Sequence, residues 1–228
     1  YQLLIDQLKI KSHHKILEIG CGWGGFAEYA AKKIGCRIKG ITISPSQLKF
    51  AKSRIKKQGL EDKVSLELCD YRDLKGTYDR VVSIEMIEAV GEKYWLDYFK
   101  KIKQVLTKDG MAGIQVILIN DKSYERYSNS VDFIQRYVFP GGMLPSQQKL
   151  DENYIKTGLI EIESNSFGKS YAKTLGIWHK DFVNSISLIR NLGFDNKLER
   201  IFKYYFSYCK AGFSSKKIDV VQKIIKSA

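Results

Sequence analysis

The first half of the chain alternates short apolar runs with stretches in which apolar residues recur every three to four positions. This alternation is typical of βαβ units, in which buried parallel strands are covered by amphipathic helices. The pattern predicts strands at Lys15–Ile19, Cys36–Thr42, Val64–Cys69, Arg80–Ile84 and Met111–Ile117. It predicts helices at residues 26–33, 45–57 and about 94–106.

The pattern changes after Ile119. Residues 121–153 are rich in aromatic side chains and are interrupted by Pro140-Gly141-Gly142 and Pro145, which favours a helical insertion over another βαβ unit. Two late strands are predicted, at Ile160–Asn165 and near Tyr208–Phe213, with helical segments at 182–192 and 198–206 between them. We therefore expect one α/β domain over residues 1–228 with a lid insertion at about 120–158.

Charge is the one extreme of the composition. The chain has 228 residues, of which 44% are hydrophobic, so it can bury one sizeable core. Its 38 Lys and Arg residues against 25 Asp and Glu give a net charge of +13. Such a charge attracts polyanions, either nucleic acid or the head groups of an anionic bilayer, but it also fits a lysine-rich surface that has no such partner.

Further features of the sequence indicate where in the cell the protein is located. No apolar run approaches the roughly 20 residues that a membrane-spanning helix needs, and the start of the chain lacks the layout of a signal peptide. The four cysteines are far apart without a C-x-x-C pair, so neither a metal site nor a disulfide framework is indicated. We expect a cytoplasmic protein, or one peripheral to the membrane.

A glycine loop connects the first predicted strand to the first helix. Gly20-Cys21-Gly22-Trp23-Gly24-Gly25 fits the pattern G-x-G-x-x-G, which alone is a weak signal. A dinucleotide site also needs an acidic residue about 20 positions further on, and the second strand ends in Ile41-Thr42-Ile43-Ser44 without one. Glu18 instead precedes the glycines, where an acid suits the sulfonium and amino group of S-adenosylmethionine (SAM). Asp70, after the third strand, is then placed for the adenine amino group.

The sequence blocks Ile16–Gly25, Glu85–Gly91 and Phe139–Pro145, with several others, resemble those of one enzyme family, the cyclopropane-fatty-acyl-phospholipid synthases. The resemblance runs over nearly the whole chain, and two of its blocks, Glu85–Gly91 and Phe139–Pro145, are more specific than the glycine loop. The others include Ile16–Gly25, Gly40–Ser44 and Asp70–Leu74. The resemblance implies a Rossmann-like class I SAM-dependent methyltransferase fold with a mainly parallel seven-stranded sheet.

The resemblance also implies a set of SAM-binding residues beside Glu18. Gly20, Gly22 and Gly24 would line the methionine moiety. Thr42 and Gln47 would face the ribose, and Asp70 with Tyr71 would face the adenine.

The activity implied is transfer of a methylene group from SAM to the cis double bond of an unsaturated phospholipid acyl chain at an anionic membrane surface, which forms a cyclopropane. The family implies a bicarbonate ion held by Glu88, the backbone around Ile117, and Tyr171. Gln115 stands where some members have histidine, and its amide can hydrogen-bond that anion. Members usually carry an upstream segment with a cysteine that contacts bicarbonate, and we expect that segment to be absent because the chain begins at Tyr1.

Alternatives remain at this point. A methyltransferase for a soluble amine or another small molecule shares much of this framework. A nucleic-acid-binding module would use the +13 charge, but we expect no nucleic acid partner, because no recognition helix or aromatic-basic motif is present. The sequence leaves open whether the product is a cyclopropane or a simple methyl branch, which acyl position reacts, and whether the chain forms a homodimer.

Overall fold

The computed structural model describes all 228 residues, which form two compact units. The first unit comprises residues 1–116, 149–165 and 222–228, and the second comprises residues 117–148 and 166–221. The strands are β1 (Lys15–Ile19), β2 (Arg37–Thr42), β3 (Val64–Leu68), β4 (Tyr78–Ile84), β5 (Leu106–Ile119), β6 (Leu159–Ser166) and β7 (Ile218–Ser227).

Ten α-helices accompany the strands. They are α1 (Gln2–Gln7), α2 (Gly25–Ile34), α3 (Pro45–Lys57), α4 (Trp95–Val105), α5 (Asp121–Ser128), α6 (Phe133–Tyr137), α7 (Gln147–Thr157), α8 (Gly168–Asn184), α9 (Ile186–Asn191) and α10 (Asn196–Ser214). Three of them, α5, α6 and α7, lie in the stretch that the sequence predicts to be a helical insertion. No helix is both long enough and apolar enough to cross a bilayer.

The seven strands form one sheet in the order β3-β2-β1-β4-β5-β7-β6. Strands β3, β2, β1, β4 and β5 pair in parallel, with Glu18 of β1 beside Gly40 of β2 and Val82 of β4. The chain order reverses between β1 and β4, and in open α/β sheets the crevice at the carboxyl ends of the strands at such a point is where ligands bind. The glycine loop follows β1 directly at this edge.

The pattern of buried side chains and the local capping residues explain why β1, α3 and α4 form. Four of the five residues of β1 are buried, as expected for a central parallel strand covered on both faces. Helix α4 buries one stripe, made of Trp95, Tyr98, Phe99, Ile102 and Val105, whose spacing is that of a helix face. Helix α3 begins where the sequence predicts, because Pro45 occupies its first turn and the Ser44 hydroxyl accepts a hydrogen bond from the Gln47 amide at 3.3 Å.

The second unit has its own apolar cluster between α8 and α10. Ala172, Leu175, Phe206 and Phe213 form its buried centre with Val220. Asp219 fixes the start of α8, because its Oδ1 accepts a hydrogen bond from the Gly168 amide at 2.9 Å.

The predicted strand near Tyr208–Phe213 is wrong, because these residues lie inside α10 and the last strand is β7. Phe202, Phe206, Cys209 and Phe213 recur at intervals of four, three and four, which is a helix face, and Asp195 caps the helix through the Leu198 amide. The predicted helix 182–192 is corrected too, since α8 ends at Asn184 and α9 covers Ile186–Asn191.

The sequence pattern does not predict β7, because this strand contains a buried lysine. Lys223 is only 2% exposed, and its ammonium group donates to Glu161 Oε2 at 2.7 Å and to Ser164 Oγ at 3.1 Å. Because a lysine in sequence usually marks a solvated position, the apolar run of β7 appears interrupted.

Gly40→Ala tests the close packing that holds the glycine loop against β2. A Cβ at Gly40 would lie 2.7 Å from Leu66 Cδ2 and 2.9 Å from Cys21 Cβ. We expect the free energy of unfolding to fall by about 1–3 kcal/mol, as for other overpacked cores. Urea denaturation measures it, with Gly176→Ala in α8 as the control, because its Cβ would meet only the flexible Lys210 ammonium at 3.4 Å. Wild-type stability of Gly40→Ala would contradict this account.

Candidate functional site

The glycine loop is tied to the end of β2 by one carbonyl group. The amides of Gly20 and Cys21 both donate to the Ile41 oxygen, at 3.0 and 2.8 Å. Gly20, Gly22 and Gly24 have φ values of 78°, 51° and 80°, a region that favours glycine. The loop therefore turns sharply away from β1.

The three glycines differ in what a side chain would meet. A Cβ at Gly20 would lie 3.0 Å from Met86 Cγ, and one at Gly24 would lie 3.1 Å from Ala51 Cβ. A Cβ at Gly22 would meet no atom within 4 Å. A side chain would thus be tightly packed at the first and third positions, whereas Gly22 leaves open space beside the backbone, where a ligand can approach closely.

Glu18 is a buried acid directly ahead of this loop. Its side chain is 3% exposed, it accepts a hydrogen bond from the Ala27 amide, and its Oε2 has no hydrogen-bond partner. Burial raises the pKa of Glu18 to about 8, and the Ala27 amide opposes this only in part. The carboxyl group lacks a cationic partner, and the amino group and sulfonium of SAM would supply positive charge. Together with the space at Gly22, the residues present fit this cofactor.

Thr42 and Gln47 join the end of β2 to the first turn of α3. The buried Thr42 hydroxyl donates to Gln47 Oε1 at 2.9 Å and accepts from the Ser44 amide at 3.1 Å. This bond fixes the two side chains that the sequence assigns to the ribose.

Asp70 follows β3 and begins a 3₁₀ turn, Tyr71–Asp73. Its Oδ1 accepts from the Arg72 amide at 2.9 Å and from Arg72 Nε at 3.0 Å, and its Oδ2 accepts from Arg72 Nη2 at 2.7 Å. The Arg72 guanidinium holds the pKa of Asp70 below its usual range. The Tyr71 ring packs edge-on against Tyr98, with centroids 5.7 Å apart.

Sequence reasoning missed Arg72, although the spacing Asp-x-Arg offered a signal. Its guanidinium already engages both oxygens of Asp70, so an adenine amino group would have to share that carboxylate. The predicted SAM residues otherwise lie in or directly after β1, β2 and β3, at neighbouring carboxyl ends of the sheet, or in the first turn of α3. Their individual roles stay predictions.

Three side chains, from β5, β7 and the residue after β4, are linked by hydrogen bonds. Gln222 Nε2 donates to Gln115 Oε1 at 2.9 Å, and Gln115 Nε2 donates to Glu85 Oε1 at 2.7 Å. An ionised carboxylate only accepts hydrogen bonds, so Glu85 fixes the orientation of both amides. Glu85 itself has a φ of 51°, and its amide donates to the Gln115 carbonyl at 2.8 Å. Sequence analysis singled out Gln115 but neither of its partners.

The predicted bicarbonate residues are divided between the units. Glu88 lies in the 3₁₀ turn Ile87–Ala89 of the first unit, where the Trp95 indole donates to the Ile87 carbonyl at 3.2 Å. Gln115 also belongs to the first unit. Ile117 and Tyr171 belong to the second, where the Tyr171 ring packs against the ring of Phe213 with centroids 5.3 Å apart. The anion site stays a prediction.

Comparison with known proteins decides the family. The family model described as mycolic acid cyclopropane synthetase matches residues 1–223. The chain belongs to this family. The chain is 38% identical over 220 residues to a tuberculostearic acid methyltransferase of Mycobacterium tuberculosis, covering 96% of the chain and 51% of that protein. It is 32% identical to the cyclopropane-fatty-acyl-phospholipid synthase of Escherichia coli K12, covering 97% and 55% respectively.

Solved structures agree with the fold of this chain. A cyclopropane synthase from Mycobacterium tuberculosis superposes with a TM-score of 0.90 at 22% identity, covering 98% of the chain and 81% of that structure. A mycolic acid cyclopropane synthase in complex with SAH and CTAB gives 0.91 at 24% identity, with the same coverage. The resemblance and the class I SAM-dependent methyltransferase fold predicted from sequence are confirmed. The chain spans about half the length of the curated relatives named above.

Gly22→Ala tests the open space in the glycine loop, and Gly59→Ala is its matched control. Both glycines have positive φ, 51° and 63°, and a Cβ would meet nothing within 4 Å at either. We expect similar losses of stability, roughly 1–2 kcal/mol. SAM affinity should fall at least about tenfold for Gly22→Ala only, because the new methyl group occupies ligand space. Calorimetric titration distinguishes them, and equal affinities would remove Gly22 from the site.

Glu18→Gln tests the protonation of the buried acid. Between the ordinary glutamate pKa of 4.5 and the folded value of about 8, the unfolded chain loses a proton that the folded chain keeps. Rising pH therefore lowers the stability of the wild type, by up to about 1.4 kcal/mol per pH unit in that window. The glutamine variant lacks this slope. Denaturant unfolding of both proteins from about pH 5 to about pH 8 measures the difference, and parallel pH profiles would mean that Glu18 is ionised when folded.

Proposed function

We propose that this chain is a SAM-dependent methyltransferase that transfers a methylene group to the cis double bond of an unsaturated acyl chain in a phospholipid and forms a cyclopropane. One observation carries the SAM half of the proposal. Glu18, a buried acid without a cationic partner, lies directly before a loop that leaves open space at Gly22. Membership of the cyclopropane synthetase family supports the lipid acceptor.

The reaction sets clear demands on the protein. SAM supplies an electrophilic methyl group on a sulfonium that leaves as a neutral thioether. The alkene forms a bond to that methyl carbon as the carbon–sulfur bond breaks, and positive charge develops on the acyl chain. Loss of one methyl proton then closes the ring. The site must therefore exclude water, stabilise a cation and accept a proton.

The residues of the first unit meet part of these demands. Glu18 offers negative charge to the amino group of SAM once it ionises, and Thr42 with Gln47 offers hydroxyl and amide groups to the ribose. Glu88, half-buried in its 3₁₀ turn, is the proposed acid at the reacting end. Its negative charge would stabilise the cation that develops on the acyl chain.

Bicarbonate belongs to the proposal as the ion that would supply the base. Gln115 and Tyr171 would offer N–H and O–H donors to this anion, and the Glu88 carboxylate would accept its hydroxyl proton, so the chemistry of these groups fits the ion. The Gln222 and Glu85 contacts hold the Gln115 amide in one orientation. The backbone at Ile117 completes the proposed set.

A second product fits the same residues. The relative that is 38% identical is named a tuberculostearic acid methyltransferase, whereas the one that is 32% identical is named a cyclopropane synthase. A methyl branch and a cyclopropane both arise from the same cation, because the two differ only in how the charge is discharged. The product must therefore be identified directly.

The deciding experiment supplies the chain with SAM deuterated on its methyl group, bicarbonate and vesicles of a monounsaturated phospholipid. The acyl chains are then analysed as methyl esters by chromatography and mass spectrometry. A cyclopropane ester that retains two of the three deuterons is the expected product. Binding of SAM without any labelled lipid, or labelling of an added soluble amine in preference to lipid, would contradict the proposal.

Glu88→Gln tests the catalytic carboxylate in the same assay. We expect turnover to fall by roughly a hundredfold or more, because the developing cation loses its negative partner, with little change in the SAM dissociation constant. Glu92→Gln is the matched control, since Glu92 is exposed in the neighbouring 3₁₀ turn Glu92–Tyr94. Unchanged turnover in Glu88→Gln would show that this glutamate has no role in the reaction.

A further inference from the structure

A short segment of the second unit exposes large apolar side chains to solvent. Leu188 and Leu192 are 68% and 76% exposed, and Phe194 is 50% exposed. The two leucines are four residues apart around the end of α9, so their side chains lie on the same face. We call residues 188–194 the apolar segment.

Polar contacts, and not burial, hold the apolar segment in shape. Gly193 has a φ of 90°, and its amide donates to the Arg190 carbonyl at 2.9 Å. Asp195 caps α10 by accepting from the Leu198 amide at 2.8 Å, and Arg190 forms an ion pair with Glu199 at 2.7 Å. The turn is therefore ordered by groups that leave its leucines facing water.

The surroundings of the apolar segment are basic. Residues 180–203, which run from the end of α8 to the first half of α10, contain five lysine and arginine residues against three aspartate and glutamate residues, a net charge of +2. Glu199 is already engaged by Arg190 and Lys203. Lys180, Lys197 and Arg200 are exposed. Apolar side chains flanked by cations are the combination found at protein surfaces that lie on anionic bilayers.

We propose that the apolar segment inserts into the headgroup region of an anionic lipid bilayer. Leu188, Leu192 and Phe194 enter the boundary of the acyl chains, and the surrounding lysines and arginines contact lipid phosphates. The charge argues for lipid over a second copy of the chain, because two copies of this region, each with a net charge of +2, repel each other, whereas anionic head groups attract both. Its purpose in delivering the enzyme to its substrate rests on the proposed function, but the binding itself does not.

The experiment measures binding of the full chain to sedimented vesicles of phosphatidylglycerol and phosphatidylcholine, and to vesicles of phosphatidylcholine alone, without SAM. We expect stronger binding to the anionic vesicles. The double variant Leu188→Ser/Leu192→Ser should bind them about tenfold more weakly, because it loses the apolar area that enters the bilayer. Ile155→Ser in α7 of the first unit is the control: Ile155 is 80% exposed, and its loss should leave vesicle binding unchanged.

Three results would overturn the proposal: equal binding of the wild type to both kinds of vesicle, wild-type binding by the double variant, or an equal loss in Ile155→Ser. A self-association in sedimentation velocity that the double variant abolishes, with vesicle binding unchanged, would assign the apolar segment to a second copy. Because no methyl transfer is measured, failure of the proposed reaction would leave this result intact, and failure here would leave the reaction intact.

Discussion

The geometry of the glycine loop depends on the carbonyl group of Ile41. By accepting hydrogen bonds from two successive loop amides, it forces the chain to turn at the end of β1. That turn places Gly20, Gly22 and Gly24 in conformations that other residues rarely adopt. It is possible only because Gly40 has no side chain where Leu66 and Cys21 approach. A strand residue without a side chain therefore sets the shape of a loop that lies 15 or more residues earlier in the chain.

Much of the first unit could be read from the sequence because local signals there agree with tertiary structure. The bounds of β1 and α3 match the prediction, since apolar periodicity, the Ser44 cap and Pro45 all indicate the same limits. Glu18 was found because it lies in the first strand just ahead of the glycine loop, and Asp70 was found because it follows the third strand. In each case the deciding residues lie within a few positions of each other.

The sequence predictions fail mainly where a residue interacts with a partner that is distant in sequence. Lys223 lies in a buried strand because Glu161, 62 positions away, neutralises it, and no local pattern reveals that pairing. Gln222 meets Gln115 across 107 positions, so the orientation of the Gln115 amide was equally hidden. In α10 the predicted strand was wrong because the spacing of the apolar residues was misjudged. These residues are dense enough to suggest a strand, but they repeat at helical spacing. The residues predicted to bind the anion fall in two units. For them the resemblance to a family supplied the residue types but no distances.

The raised pKa of Glu18 affects how a cation binds beside the glycine loop. An acid that titrates at about pH 8 is mostly neutral in a cell at neutral pH, so the empty fold does not carry an uncompensated buried anion. Any cation that binds beside it lowers that pKa, and by linkage the uptake of the cation is coupled to the release of a proton. Binding thus exchanges one positive charge for another, and the surroundings of Glu18 stay close to electrically neutral with or without the bound cation.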